Sequence, residues 1–587
     1  MIPMKKFLKI FRLPEFYIVA LLAACVVVNV SMRVTVKNVV LIEKGNIEKT
    51  SIPVTKKMRE GEYFQVDLDI ENPYGVSYDL KVVPDDCAED IVVNGQQVNV
   101  RNLPGRCDFS KGFLLSDSLL SNYRVGGKTH YSFSLRNNGG NAGLNLFVYQ
   151  VSAASKVVNV LAIGLFALLC LVIARRFKFG WGIALLILFG VVFRTTFYAN
   201  VPYTTYSNDV DGHVAYVQYV AEKHAVPGVD DCWTCYHPPV YYVSAVPSFV
   251  LGEWLGVSCT TGLQMYSLVL SVVTLFLGIL FLRTFLTGSA FGVASLLWTL
   301  WPLMILVSPR IGNDQMFYML HVLCLWGGAC YLKDGRGKYL IVAVIASALA
   351  MWTKTTAVVT LGVLLLFALF GYVRNGRSLR PSKSEMVSWI MLVLLLVGIV
   401  LQKMLGGSDL VGNASGLNSK LIVGNEAFNY IFFDLKSFVI HPYTSAWNEE
   451  WGREFFWNYS FKSAMFGEFE LVRTQTGRTL ATLMSVTFLG LLVYAVRGFW
   501  KSKMNAIRWI LLLQTVAFFA ALMFLRIKHP YSCSNDFRYI APALLGFIPF
   551  VGLGIQVEGA SVKWKVLGYV MVLGFVLSTV ILYILAM

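Results

Sequence analysis

Two carboxylates and an imidazole fall within five residues in Tyr206-Ser207-Asn208-Asp209-Val210-Asp211-Gly212-His213. Asp209 and His213 are four apart, so a helix there places them on one face. A carboxylate in that position could take a proton from an acceptor hydroxyl. The same residues also read as a solvated acidic turn, with Asp209 or Asp211 capping a helix. Downstream lie Cys232, Cys235 and the run His237-Pro238-Pro239-Val240-Tyr241-Tyr242. Further polar groups occur in Ser308-Pro309-Arg310-Ile311-Gly312-Asn313-Asp314, in Thr353-Lys354, around Gly467-Glu468 and in Asn535-Asp536-Phe537-Arg538.

The elements that must position these residues are membrane helices. The chain has 587 residues, 56% of them hydrophobic, and a mean hydropathy of +0.60. Soluble domains are only about 45–50% apolar. Apolar runs long enough to cross a hydrocarbon core of about 30 Å recur throughout. They are too long for barrel strands and must satisfy their own backbone, so they are helices. Expected spans are an N-terminal anchor and 156–173, 181–197, 263–282, 290–307, 316–332, 339–352, 356–373, 386–403, 477–496, 508–525, 539–556 and 566–586, about thirteen in all. The net charge of +16 does not signal nucleic acid. Its cations sit in short clusters between apolar runs, as the positive-inside rule expects. Clusters at Arg175–Lys178, Arg283, Lys333–Lys338, Arg374–Lys383, Arg497–Arg508 and Lys563–Lys565 then share the cytoplasmic side with the N-terminus. This holds if Val240–Leu255, which contains Pro247, Gly252 and Glu253, lies at the outer interface instead of crossing. Loops 198–262, 308–315, 404–475 and 526–538 are then all extracytoplasmic.

Residues 1–32 read as an uncleaved anchor, although Leu22-Ala23-Ala24-Cys25 looks like a lipoprotein cleavage box; the apolar run continues past the cysteine. Residues 33–152 change to short alternating segments separated by Asn-Gly and Gly-Gly turns, which predicts an extracytoplasmic β-sandwich with a jelly-roll look. Residues 153–177 form the second span and a cytoplasmic turn, and 178–587 the main helical domain. Cys87–Cys107 is a plausible disulfide on the oxidising side, whereas spacing alone leaves Cys232 and Cys235 paired or free. Cys25, Cys170, Cys324 and Cys330 lie in apolar runs and read as packing residues.

The outer loops, in this order and on one side, resemble the GT-C superfamily of lipid-linked glycosyltransferases. Within it they look like the bacterial branch related to dolichyl-phosphate-mannose protein mannosyltransferases and the lipid A aminoarabinose transferase. The resemblance covers about 178–587. It rests on Asp209 ahead of Gly212-His213, on His237-Pro238-Pro239-Val240-Tyr241-Tyr242, on Asp314, on Thr353-Lys354, on Phe456-Trp457-Asn458-Tyr459 to Glu468, and on Asn535-Asp536-Phe537-Arg538. It implies a multi-pass protein of the inner (plasma) membrane. The implied reaction moves a sugar, hexosyl or pentosyl, from a polyprenyl-phosphate donor to a hydroxyl of an acceptor lipid, glycan or protein outside. Asp209 is then the general base, with Asp211 and Asp314 as the other catalytic acids. Lys354, Arg538 and Arg310 would meet the developing phosphate charge. His213, His237, Tyr241 and Glu468 complete the substrate-binding set. Membrane lipid is an expected partner and nucleic acid is not. A divalent metal is left open, since branches of the superfamily differ; Asp209, Asp211, Asp314 and His213 could hold one only if their loops converge. The chain departs from the pattern in its N-terminal extension, and in Asp209-Val210-Asp211 where the mannosyltransferases carry Asp-Glu. Which aspartate is the base therefore stays open.

A transporter or flippase of lipid-linked sugars or envelope components is the alternative. Ionisable groups inside the spans would favour it, but the spans are nearly free of acids and show no inverted repeat. A sensor would need a cytoplasmic output domain, and a nucleotide-sugar enzyme a phosphate-binding glycine loop; neither is seen.

Overall fold

The computed structural model describes residues 14–587 except 51, 73, 86, 101–102, 109–111, 125, 139–140, 230, 256–257, 375–382, 407–418, 448–451 and 504. The basic N-terminal residues, most of the Arg374–Lys383 cluster and parts of the 404–475 loop therefore lie outside the described residues. The chain divides into two compact units, Met1–Ile173 with Trp254–Val257, and Ala174–Glu253 with Ser258–Met587.

In the first unit, helices Pro14–Ser31 and Ala153–Arg176 flank ten strands in sequence. These are β1 (Thr35–Glu43), β2 (Asn46–Lys49), β3 (Val54–Lys57), β4 (Tyr63–Glu71), β5 (Tyr78–Asp85), β6 (Cys87–Val93), β7 (Gln96–Val98), β8 (Phe113–Leu115), β9 (Lys128–Arg136) and β10 (Asn141–Gln150). They form a six-stranded sheet of order β2-β1-β4-β9-β6-β7 and a four-stranded sheet of order β3-β10-β5-β8. Alternation builds the core. Phe64, Val66, Leu68 and Ile70 of β4 point inward together with Phe133 and Leu135 of β9. They share one core with Leu80, Val82, Leu115 and Leu144 of the second sheet, so the two sheets make a sandwich. Strands β6 and β7 form a hairpin, pairing Ile91 with Val98 and Val93 with Gln96. Asn94 and Gly95 both take positive φ, 48° and 81°, the geometry of the tight turn that Asn-Gly favours. Cys87 and Cys107 are disulfide-bonded.

The second unit is helical and contains every candidate site residue. Among the described residues of the whole chain, eight helices are long and apolar enough to cross a membrane. A ninth is added if the bent pair Ser532–Gly546 and Ile548–Ile555 counts as one span. Other expected spans are shorter apolar helices, such as Gly288–Leu300 and Gly337–Met351. Val240–Trp254 has only 15 residues and contains Pro247. At 1.5 Å per residue it falls short of the ~30 Å core. Two large polar groups inside the spans are tied to the helices around them. Buried Arg194 donates from Nη1 to the carbonyls of Gly190 and Thr299 at 3.1 and 2.8 Å. His321 lies 2.8 Å from Thr360 Oγ1 and 3.1 Å from Gln514 Oε1, joining three helices.

Candidate active site

Helix Val210–Lys223 starts at Asp209, whose backbone is left-handed (φ 54°, ψ 23°) and whose side chain caps no N–H of that helix. The plain capping role is thus not what the carboxylate does. Left-handed backbone in a non-glycine residue is uncommon and collects at functional sites. Asp209 is 47% exposed, with Oδ2 3.8 Å from Nη2 of Arg538. Asp211, in the first turn, is exposed. His213, one turn on, is buried.

His213 is the centre of an aromatic stack. Its Nδ1 lies 2.8 Å from Tyr242 Oη, and its ring stacks on His237 at 5.7 Å and on Tyr242 at 5.9 Å. Tyr242 in turn lies flat against Tyr216 at 3.7 Å. Burial pushes His213 down to about 4, although Asp209 and Asp314 act in the opposite direction. Burial, followed by the charge on His213, also lowers His237 well below its ordinary value. Both imidazoles are therefore neutral near pH 7, so neither supplies a cation. Cys232 and Cys235 are disulfide-bonded, which closes the alternative left by spacing. The short loop they close sets Thr234 and Trp233 against Gly212.

Tyr241 is fully buried, and its hydroxyl accepts the N–H of Gly312 at 3.0 Å. It thereby fixes the loop that carries Arg310 and Asp314. Gly312 has φ +154°, and a Cβ there would lie 3.2 Å from His213 Nε2. Gly312→Ala should therefore lower the unfolding free energy by about 1–3 kcal/mol and displace His213. A lowered thermal midpoint together with reduced activity would show both, whereas a wild-type midpoint would contradict the packing argument.

The charged groups converge next to this stack. Asn208, His213, Arg310, Gly312, Asp314 and Arg538 line one small cavity. Asp314 begins helix Asp314–Asp334 and holds the ammonium of Lys354 in a close ion pair. Lys354 is buried and lies 4.8 Å from the ring of Tyr539, so it is not an exposed helix-end anchor. Arg538 is buried, with Nε 3.0 Å from Asp536 Oδ2 and Nη2 3.0 Å from Tyr539 Oη. It pairs with Asp536, and it reaches Asp209 as well. Arg310, also buried, lies over Phe469 at 5.9 Å.

Glu468 is tied to Asn208, the residue before Asp209. Gly467 (φ 61°, ψ −149°) makes the turn that places it, in a region essentially restricted to glycine. Its Oε2 accepts from Asn208 Nδ2 at 3.0 Å, and its Oε1 accepts from the hydroxyl of Tyr459. Burial, helped by Asp536, raises its carboxyl to about 7 against an ordinary value of 4.5, while Arg538 acts the other way. The sign for stability follows. Between 4.5 and about 7 the folded chain holds a proton that the unfolded chain has released. This contribution is complete below 4.5 and is lost as pH rises through about 7. Glu468→Gln removes the titration. The stability advantage of the wild type over this variant should thus shrink as pH rises from 4.5 through about 7. A difference in thermal midpoint that stays constant across that range would contradict it.

Sequence reasoning had not assigned Asn208, Tyr242, Tyr459, Asp536 or Tyr539 to the site. Asp536 carried a signal: it stands two residues before Arg538 and accepts that residue's N–H at 3.0 Å. Among the described residues no three His, Cys, Asp or Glu side chains are placed to hold a metal ion. The loops bring Asp209, Asp314 and His213 near one another without making such a set.

Residues 241–400 match the family model described as dolichyl-phosphate-mannose-protein mannosyltransferase. The match supports the resemblance read from the loops. The matched stretch holds Tyr241, Arg310, Asp314 and Lys354, and leaves out Asp209, His213, Glu468 and Arg538. No curated protein matches the chain. Among solved structures, the Archaeoglobus fulgidus oligosaccharyltransferase in apo form superposes with TM-score 0.40 at 11% identity, over 69% of this chain and 56% of that one. The same organism's AglB, in complex with an inhibitory peptide and a dolichol-phosphate, gives 0.35 at 12% identity over 69% and 55%. ArnT from Cupriavidus metallidurans bound to undecaprenyl phosphate gives 0.29 at 11% identity over 60% and 73%. This chain thus spans little more than half the length of the archaeal enzyme.

Proposed function

We propose that this chain, similar over residues 241–400 to the dolichyl-phosphate-mannose-protein mannosyltransferases, transfers a sugar from a polyprenyl-phosphate donor to an acceptor hydroxyl. The site faces the extracytoplasmic side of the inner (plasma) membrane, as does the β-sandwich, and the N-terminus is cytoplasmic. The observation that carries the reading is one accessible, weakly held carboxylate beside buried cations. Asp209 is half exposed and only 3.8 Å from Arg538, whereas Asp314 is tied to Lys354 and Asp536 to Arg538. A general base needs a free lone pair within reach of the hydroxyl. Asp209 meets that need beside the buried cations; Asp211 is also exposed but makes no ion pair with those cations among the described residues, and is the weaker candidate on that ground.

In this mechanism Asp209 takes the acceptor proton as the hydroxyl oxygen bonds to the anomeric carbon. The bond from that carbon to the phosphate oxygen breaks, and its electron pair leaves with the polyprenyl phosphate. Lys354, Arg538 and Arg310 offset the charge that develops there, in surroundings poor in water where each contact counts for more. His213, His237 and Tyr241 hold the walls. A membrane location suits the donor, whose isoprenoid tail stays in lipid while its phosphosugar enters a polar pocket.

Mass spectrometry of envelope glycans and glycoproteins tests this directly. Cells carrying wild-type protein should show a hexose or pentose addition that is missing with Asp209→Asn at equal protein levels. Identical glycans in the two would reject the reading. Passage of a lipid-linked sugar across vesicles by purified protein, with no transfer, would point to a transporter.

A further inference from the structure

Helix Ala506–Lys528 ends in Arg526 and Lys528, followed by His529. On the topology read above this is an outer end, where the positive-inside rule supplies no reason for cations. Cations near a helix C-terminus do complement its dipole, and that accounts for exposed Lys528. It does not account for the surroundings of Arg526, which is 0% exposed. Its Nη1 donates to Asn425 Oδ1 at 3.1 Å, and its Cζ lies 5.7 Å from the ring of Tyr430. Its Nε and Nη2 are buried and meet no acceptor. No carboxylate among the described residues pairs with it. Nε2 of His529, the residue that follows the helix, is likewise buried and unpartnered.

The free pair, Nε and Nη2, is the side-on edge of the guanidinium, the fork that matches two oxygens of a phosphate. Buried groups of this kind find partners in native proteins, and an orphan calls for a ligand. The covering layer is thin. Asn425 is exposed and Tyr430 half-buried, and the Tyr430 hydroxyl donates to Asn425 Oδ1 at 2.6 Å. The neighbouring short helices Ala427–Ile431 and Leu435–Ile440 present bare apolar side chains, with Phe428 57%, Ile431 79% and Leu435 55% exposed. The combination is a buried, half-satisfied guanidinium beneath an apolar surface at the end of a membrane-spanning helix.

We propose that Arg526, with His529, Asn425 and Tyr430, binds the phosphate headgroup of an anionic glycerophospholipid whose chains lie along Phe428, Ile431 and Leu435. This site does not depend on the transfer reading. Native mass spectrometry of the full-length protein in phosphatidylcholine nanodiscs, titrated with phosphatidylglycerol, tests it. Wild type and Asp209→Asn should retain phosphatidylglycerol equally. Arg526→Gln should lose at least about tenfold in affinity. Arg526→Lys, which keeps the charge but not the fork, should bind more weakly than wild type, and His529→Gln more weakly still than an untouched site. Should Arg526→Gln not fold, the lysine and His529 variants decide the matter. Wild-type retention by those two folded variants would overturn the proposal. So would displacement of the lipid by inorganic phosphate at matching concentration, which would make the site one for a free anion.

Discussion

Asp209→Asn is expected to cut sugar transfer by about 10²–10⁴-fold while leaving insertion and folding unchanged. The substitution keeps the shape of the side chain and removes its basicity. It also suits the backbone, since asparagine tolerates the left-handed conformation that residue 209 adopts (φ 54°). Half exposed and only 3.8 Å from Arg538, the carboxylate contributes little to stability. Transfer of labelled sugar in proteoliposomes, read beside the thermal midpoint, separates chemistry from folding. Wild-type transfer by Asp209→Asn would remove Asp209 as the base, and the same assay on Asp211→Asn would then identify the other aspartate.

Arg538→Ala should be the most damaging single change to both stability and activity. Asp536 is 1% exposed and has Arg538 Nε at 3.0 Å. Removing the cation leaves that carboxylate buried and uncompensated, a loss of about 3–5 kcal/mol. Part of this should return in the double variant Arg538→Ala/Asp536→Ala, which removes both charges. Activity should not return with it, because the cation beside Asp209, which in the proposed mechanism meets the phosphate, is still missing. Arg538→Lys should fold better than the alanine variant and transfer slowly, since an ammonium cannot span Asp536 and Tyr539 as the guanidinium does. Thermal midpoints and transfer rates of the three variants form the check. Equal midpoints for Arg538→Ala and wild type would show that the buried pair does not matter to the fold.

Local pattern carried a large part of this architecture. Alternating Phe64, Val66, Leu68 and Ile70 can only be a half-buried strand. Apolar runs such as 263–282 and 566–586 are helices because lipid leaves the backbone no other partner. Val240–Trp254 was legible as a short helix from its limited apolar run and Pro247. Less local features were not. Asn208 bonds Glu468 across 260 residues and Asp314 meets Lys354 across 40. Contacts at such separations leave no period in the sequence. The Glu468 carboxylate was visible as a residue, but not as the support of the Asp209 loop.

By itself the sequence determined that the acids and cations gather in loops between membrane helices, and that Asp209 stands ahead of Gly212-His213. Burial energetics and charge clustering force that much, because lipid excludes unpaired charge. Only the tertiary structure decided which carboxylates are held by buried partners and which stay exposed. Lys354 occupies Asp314, Arg538 holds Asp536, and Tyr459 with Asn208 satisfies Glu468. Each pair is set by the distance at which two distant segments meet, and a buried charge takes whichever partner packing brings to it. Asp209 is left half exposed at the edge of that network because its left-handed turn lifts it out of the helix that follows.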